Sequence, residues 1–176
     1  CAAMIGLPLK QAFTDLLPIT DEIGEQCVET YRRLFNENNA LYVIPTFPHV
    51  METLHQLHEQ GYTLTIASSR SNRSLMEFVN DMQLNDVIPY VLGAEDVTRA
   101  KPHPDPVLQT LEAFNCKPED ALVVGDTWYD IEMGRRAGVR TCGVTYGNGT
   151  REELMRAGAD FLVDDFGKLL KLASGK

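Results

Sequence analysis

At 176 residues, with 44% hydrophobic and 23% charged side chains, the chain has the composition of a globular protein, enough for one domain or a core with a small appendage. A formal charge of −9 and a pI near 4.9 argue against a nucleic-acid binder, which needs a basic face, and admit an anionic substrate only where a few cations are placed locally. No apolar run reaches the roughly 18 residues that span a bilayer, and the N-terminus has neither the basic start nor the long apolar run of a signal peptide.

The chain opens with Cys1 rather than Met, which suggests an N-terminal segment removed from, or not included in, these 176 residues. From about Leu7 to Leu17 the pattern is that of a short helix. A second helix starts at the N-cap pair Thr20–Asp21 and sets Ile23, Cys27, Tyr31 and Leu34 on one stripe. The texture changes near Ala40–Pro45, the one candidate boundary, which divides a helical piece (1–41) from the body (42–176). There, apolar β-rich runs alternate with amphipathic helices. Pro48 is placed to open a helix that Gly61 ends. TLTIA (63–67), YVLGAEDV (90–97), ALVV (121–124), VRTCGVT (139–145) and FLVDDF (161–166) supply strands, with helices between and after them. Thr150 and Glu153 have the spacing of a capping box. Continuous apolar strands alternating with helices predict an α/β fold, a doubly wound parallel sheet covered on both faces.

Ligands of such sheets bind beyond the carboxyl ends of the strands, and three junctions there carry chemistry. After ALVV comes Gly125-Asp126-Thr127-Trp128-Tyr129-Asp130, whose two carboxylates either share a hard cation such as Mg2+ or cap the following helix. After TLTIA comes Ser68-Ser69-Arg70, where a hydroxyl and backbone amides at a helix start form an anion cradle or a plain N-cap cluster. Lys101 stands in Ala100-Lys101-Pro102-His103-Pro104, whose prolines stiffen the segment and fix an amine suited to a phosphate or carboxylate.

In this order the three segments resemble the haloacid dehalogenase superfamily, in its phosphoglycolate phosphatase-like branch. TIASSR is similar to that family's second motif, KPHPDP to its third and VVGDTWYDIEMGRRAG to its fourth, while GVTYGNGTREELMRAGADFLVDDFGKLL resembles the stretch that closes the core. The resemblance implies a Rossmann-like core with a partial helical cap at 1–41 and phosphoryl transfer through an aspartyl phosphate. It implies Asp126 and Asp130 as Mg2+ ligands, Ser68 and Lys101 as catalytic groups, and Ser69 and Arg70 as substrate contacts. The implied partner is a small phosphorylated metabolite, met by a monomer or homodimer.

The family's first motif, a DxDxT-like run that carries the nucleophile, does not occur here. It is expected upstream of Cys1, on a strand between 63–67 and 121–124, so those two strands should not lie side by side and the 176 residues alone should be inactive. A sugar-phosphate mutase, a phosphonate hydrolase and a non-catalytic phosphate-binding or interaction fragment are the rival readings; GDTWYD counts against a metal-free dehalogenase. His55 and His58 fit a solvated helix face, His103 a structural turn, and Trp128 a packed side chain. Cys1, Cys27, Cys116 and Cys142 are widely spaced, without a CxxC pair, and suggest reduced thiols in the cytoplasm.

Overall fold

The computed structural model describes residues 4, 6–39 and 45–174; most of the expected boundary at Ala40–Pro45 lies outside them, as does Cys1. Helix α1 (Leu9–Leu16) packs on α2 (Asp21–Asn39). Thr20 opens α2 by accepting the Ile23 N–H at 3.4 Å, with Asp21 and Glu22 in the dipole-favoured first turn. The stripe Ile23, Cys27, Tyr31, Leu34 forms, but it lines an open hollow with Phe13 instead of entering the core. Ile23, Tyr31 and Leu34 stay 45–48% exposed, while Val28 on the neighbouring face is buried.

Helix α3 (Val50–Glu59) starts two residues later than Pro48 suggested, because His49 takes a left-handed backbone (φ 61°) that a helix cannot include. Thr53 and Leu57 form its buried face, and Gly61 (φ +87°) ends the segment. Then follow β1 (Thr65–Ala67), α4 (Asn72–Asp81), β2 (Tyr90–Leu92), α5 (Asp105–Ala113), β3 (Leu122–Gly125), α6 (Trp128–Arg136), β4 (Arg140–Val144), α7 (Arg151–Arg156), β5 (Phe161–Val163) and α8 (Leu169–Ala173). The Thr150–Glu153 capping box is made in both directions, at 3.2 Å and 2.8 Å.

Every ladder is parallel, yet the sheet is in two parts. β1 pairs with β2 (Thr65 opposite Tyr90), and β3–β4–β5 form the second part, with Leu122 opposite Arg140 and Cys142 opposite Phe161. Among the described residues β1 and β3 share no ladder. Helix α5 spans the parts, lying against both β1 and α6. Each side is covered: Val107 and Leu111 of α5 pack with Met133 and Val123, while Leu169 of α8 packs with Val144, Val163 and Val124. Val79, Leu84 and Ile88 fill the space beside β1 and β2.

Burial follows the pairing. Thr141 to Val144 of β4, flanked on both edges, are buried, whereas every residue of β1 and β3 is only half-buried despite their apolar sequences. Cys142 is 0% exposed, and burial pushes its thiol up to about 11. Among the described residues no helix is long and apolar enough to cross a membrane.

Candidate active site

The ends of β1 and β3 set the site. Beyond β1, the Ser68 N–H donates to the Leu92 carbonyl at 2.9 Å, continuing the β2 ladder by one residue, and Ser68 Oγ accepts the Arg70 N–H at 3.2 Å. Ser69 Oγ donates to the Gly6 carbonyl at 2.6 Å, so this hydroxyl ties the N-terminal segment to the turn. Ser71 caps α4 by accepting the Ser74 N–H, and Asn72 Nδ2 reaches the Val91 carbonyl and Asp96 Oδ2. The turn is therefore anchored on three sides.

Lys101 opens a proline-rich turn whose Lys101–Pro102 peptide is cis. Arg99 makes a two-pronged contact with Asp105 at 3.0 and 3.1 Å, and His103 Nδ1 accepts the Asp105 N–H at 3.3 Å, giving His103 the structural role expected. The Arg99 guanidinium holds the Asp105 carboxyl below the usual range. So braced, Lys101 sends its amine 2.6 Å from Asp130 Oδ1, with side-chain exposures of only 13% and 8%.

Asp130 sits at the third position of α6. Its Oδ2 accepts both the Thr127 N–H (3.1 Å) and the Thr127 hydroxyl (2.6 Å), so it caps the helix and pairs Lys101 at once. Gly125 makes this possible: a Cβ there would stand 2.2 Å from Asp130 Cβ. Asp126 does not cap. Its Oδ2 accepts the Asn148 N–H and Asn148 Nδ2, both at 2.8 Å, from the loop after β4. That loop can close over Asp126 because residue 147 is glycine, whose added Cβ would meet Asp126 Cβ at 2.3 Å. Tyr146 packs on Phe47 with centroids 4.7 Å apart, and burial pushes its phenol up to about 12.

Ser68, Ser69 and Lys101 line one small cavity with Ala67, Gly93 and Met133, and Asp130 joins it through Lys101. Arg70 is placed differently: its guanidinium lies over the rings of Phe78 and Phe35. Both Asp130 oxygens are engaged, while Asp126 Oδ1 receives no hydrogen bond among the described residues. No group of three His, Cys, Asp or Glu side chains suited to a metal is gathered among them. The donors fit a hard cation in part, with Asp126 offering one open carboxylate oxygen where such an ion takes several oxygens. Thr127 and Asn148 escaped sequence reasoning; the Gly-Asn-Gly run after a strand was the available signal. His55 and His58 are exposed, as expected, whereas Trp128 is 41% exposed and leans on the buried Tyr129 with centroids 3.9 Å apart.

A parallel α/β core with a hydroxyl, an amine and carboxylates at the carboxyl ends of its strands has the layout of a phosphate-handling hydrolase. A model of the family "Haloacid dehalogenase-like hydrolase" matches residues 1–144, and the chain belongs to that family. It is 32% identical over 170 residues to the pyrophosphatase PpaX of Anoxybacillus flavithermus, covering 97% of this chain and 77% of that one. It is 36% identical over 186 residues to a protein of Dickeya dadantii named Probable phosphatase IndB, covering 98% and 79%. A crystal structure of a predicted phosphoglycolate phosphatase from Haemophilus somnus superposes with a TM-score of 0.85 at 25% identity, over 97% of this chain and 80% of that one. The chain is a haloacid dehalogenase-type hydrolase of the phosphatase kind.

Proposed function

We propose that the chain belongs to a Mg2+-dependent phosphatase that hydrolyses a small, phosphoglycolate-like phosphate monoester. The observation that supports it most is the convergence of Ser68, Lys101 and Asp130 on one cleft, with Asp126 at the adjoining strand end. The Ser68 hydroxyl and the amides of its turn bind phosphate oxygens. Lys101, held on Asp130, offsets the negative charge that collects as phosphate enters, an effect strengthened by partial burial. Asp126, fixed through Oδ2 by Asn148, leaves Oδ1 for a cation, which when bound would neutralise phosphate charge.

The attacking carboxylate is assigned to a segment upstream of Cys1. Its oxygen bonds to phosphorus as the ester P–O bond breaks, the leaving alkoxide takes a proton, and water then releases inorganic phosphate. Among the described residues β1 pairs only with β2 and β3 on one side only, with β4, and this division of the sheet supports a strand between them. The helical piece 1–41 is assigned to a substrate-selecting cap, and free thiols at Cys27, Cys116 and Cys142 fit a reducing cytoplasm. Pyrophosphate is a second reading, favoured by the name of the PpaX relative.

Assays with Mg2+ on p-nitrophenyl phosphate, phosphoglycolate and pyrophosphate test this with the 176-residue chain and with the chain extended by its native upstream sequence. The extended chain should hydrolyse phosphoglycolate best and the 176 residues should be inactive. Preference for pyrophosphate would select the second reading; activity in neither form would favour a non-catalytic phosphate-binding module.

A further inference from the structure

Aromatic rings run in file from the helical pair to the core. Phe13 of α1 meets Tyr31 edge-on at 6.4 Å, Tyr31 stacks on Phe35 at 6.1 Å, and the Arg70 guanidinium lies 5.4 Å from the Phe35 centroid and 4.6 Å from that of Phe78 on α4. One cation thus holds a ring of α2 and a ring of α4. Arginine suits the place because its planar, weakly hydrated head stacks on ring faces without surrendering its charge.

The Arg70 backbone has little freedom. Its N–H donates to Ser68 Oγ at 3.2 Å, and its carbonyl accepts the Ala94 N–H at 2.8 Å. A tilt of α2 must therefore break a cation–ring contact or pull on the residue that hydrogen-bonds the Ser68 hydroxyl. We propose that Arg70 is a positioning residue, a latch through which α2 sets the orientation of Ser68. Its functional meaning rests on the phosphate-binding reading of Ser68; its mechanical part does not.

Hydrogen exchange on the full chain separates the two. Arg70→Met keeps the stem and removes the charge, Arg70→Lys keeps the charge, and Phe35→Leu removes the ring. Arg70→Met and Phe35→Leu should each speed exchange in α2 by about five-fold, the size of one modest cation–ring contact, with β3 to β5 unchanged. Arg70→Lys, which keeps the charge without the planar head, should restore only part of the protection, and the double variant should exchange no faster than either single one. In the phosphatase assay, Arg70→Met should raise KM by a similar factor at constant kcat, again partly rescued by lysine. Unchanged exchange in α2, additive effects, or faster exchange throughout the chain in both single variants would overturn the latch. A higher KM without faster exchange would overturn it too, by making Arg70 a substrate contact. If the extended chain hydrolyses nothing, the exchange results still decide the latch, and only the proposed activity falls.

Discussion

Lys101 and Asp130 form the pair on which the site is built. Both side chains are largely shielded, and Asp130 also closes the first turn of α6, so removing the amine leaves a carboxylate without its cation. Lys101→Met should cost about 3–5 kcal/mol, read as a lower urea midpoint, and adding Asp130→Asn should recover part of the loss. Asn148 works in the same way at Asp126, turning the carboxylate with two donors to one oxygen. On the proposed Mg2+ reading, Asn148→Ala should weaken binding of that ion by about ten-fold or more, as loss of a group that orients a ligand does; a Mg2+ titration followed by thermal shift measures this without an assay of activity. Ser68 and Asp126 were legible because each closely follows an apolar strand run, Asp130 by its spacing from Asp126, and Lys101 by the prolines that follow it. The Asn148 contact was not, since it joins residues 22 apart and leaves no local periodicity. Nor could the sequence separate Arg70 in a phosphate cradle from Arg70 between two rings, because Phe35 and Phe78 come from distant helices.

Among the elements, α3 has the most instructive start. His49 turns left-handed ahead of it, and its Nδ1 lies 2.6 Å from Asp165 Oδ2, pinning the helix to the segment after β5. The hydrogen bond to Asp165, with its charge, raises the His49 pKa above 6.5, and the same bond lowers that of Asp165 below 3.8. A raised histidine stabilises fully below its unfolded pKa and loses that contribution as pH climbs through its folded one; the lowered carboxyl adds stability above 3.8 that acid removes. The stabilisation from the pair is therefore greatest between these limits. His49→Asn tolerates the same backbone but lacks the imidazole. Its deficit in urea midpoint should be largest between pH 3.8 and 6.5 and shrink as pH rises through the raised histidine pKa; a deficit independent of pH would point to backbone strain instead. Proline statistics placed the start of α3 at Pro48 because they cannot see a residue held left-handed by a distant carboxylate.

At the scale of the molecule, alternation of strands and helices made the parallel α/β core readable, and the half-buried state of β1 and β3 follows from a sheet divided between them. A strand entering there would pair with the edges of β1 and β3 that carry no ladder among the described residues. Extending the chain by its native upstream sequence should slow amide exchange in β1 and β3 by at least about ten-fold, or roughly 1.4 kcal/mol of local stability, and leave β5 unchanged; equal exchange in both forms would mean that the two parts stand without it. The apolar stripe of α2 was legible as a pattern, but its exposure was not, since periodicity reports that a face is apolar and not what covers it. Cys142 provides an intrinsic gauge for such comparisons. A thiol with no exposed surface and a pKa near 11 reacts with an alkylating reagent only when the second part of the sheet comes apart. Its rate of modification therefore times that opening in the unmutated chain, against the two half-exposed thiols Cys27 and Cys116 as internal clocks.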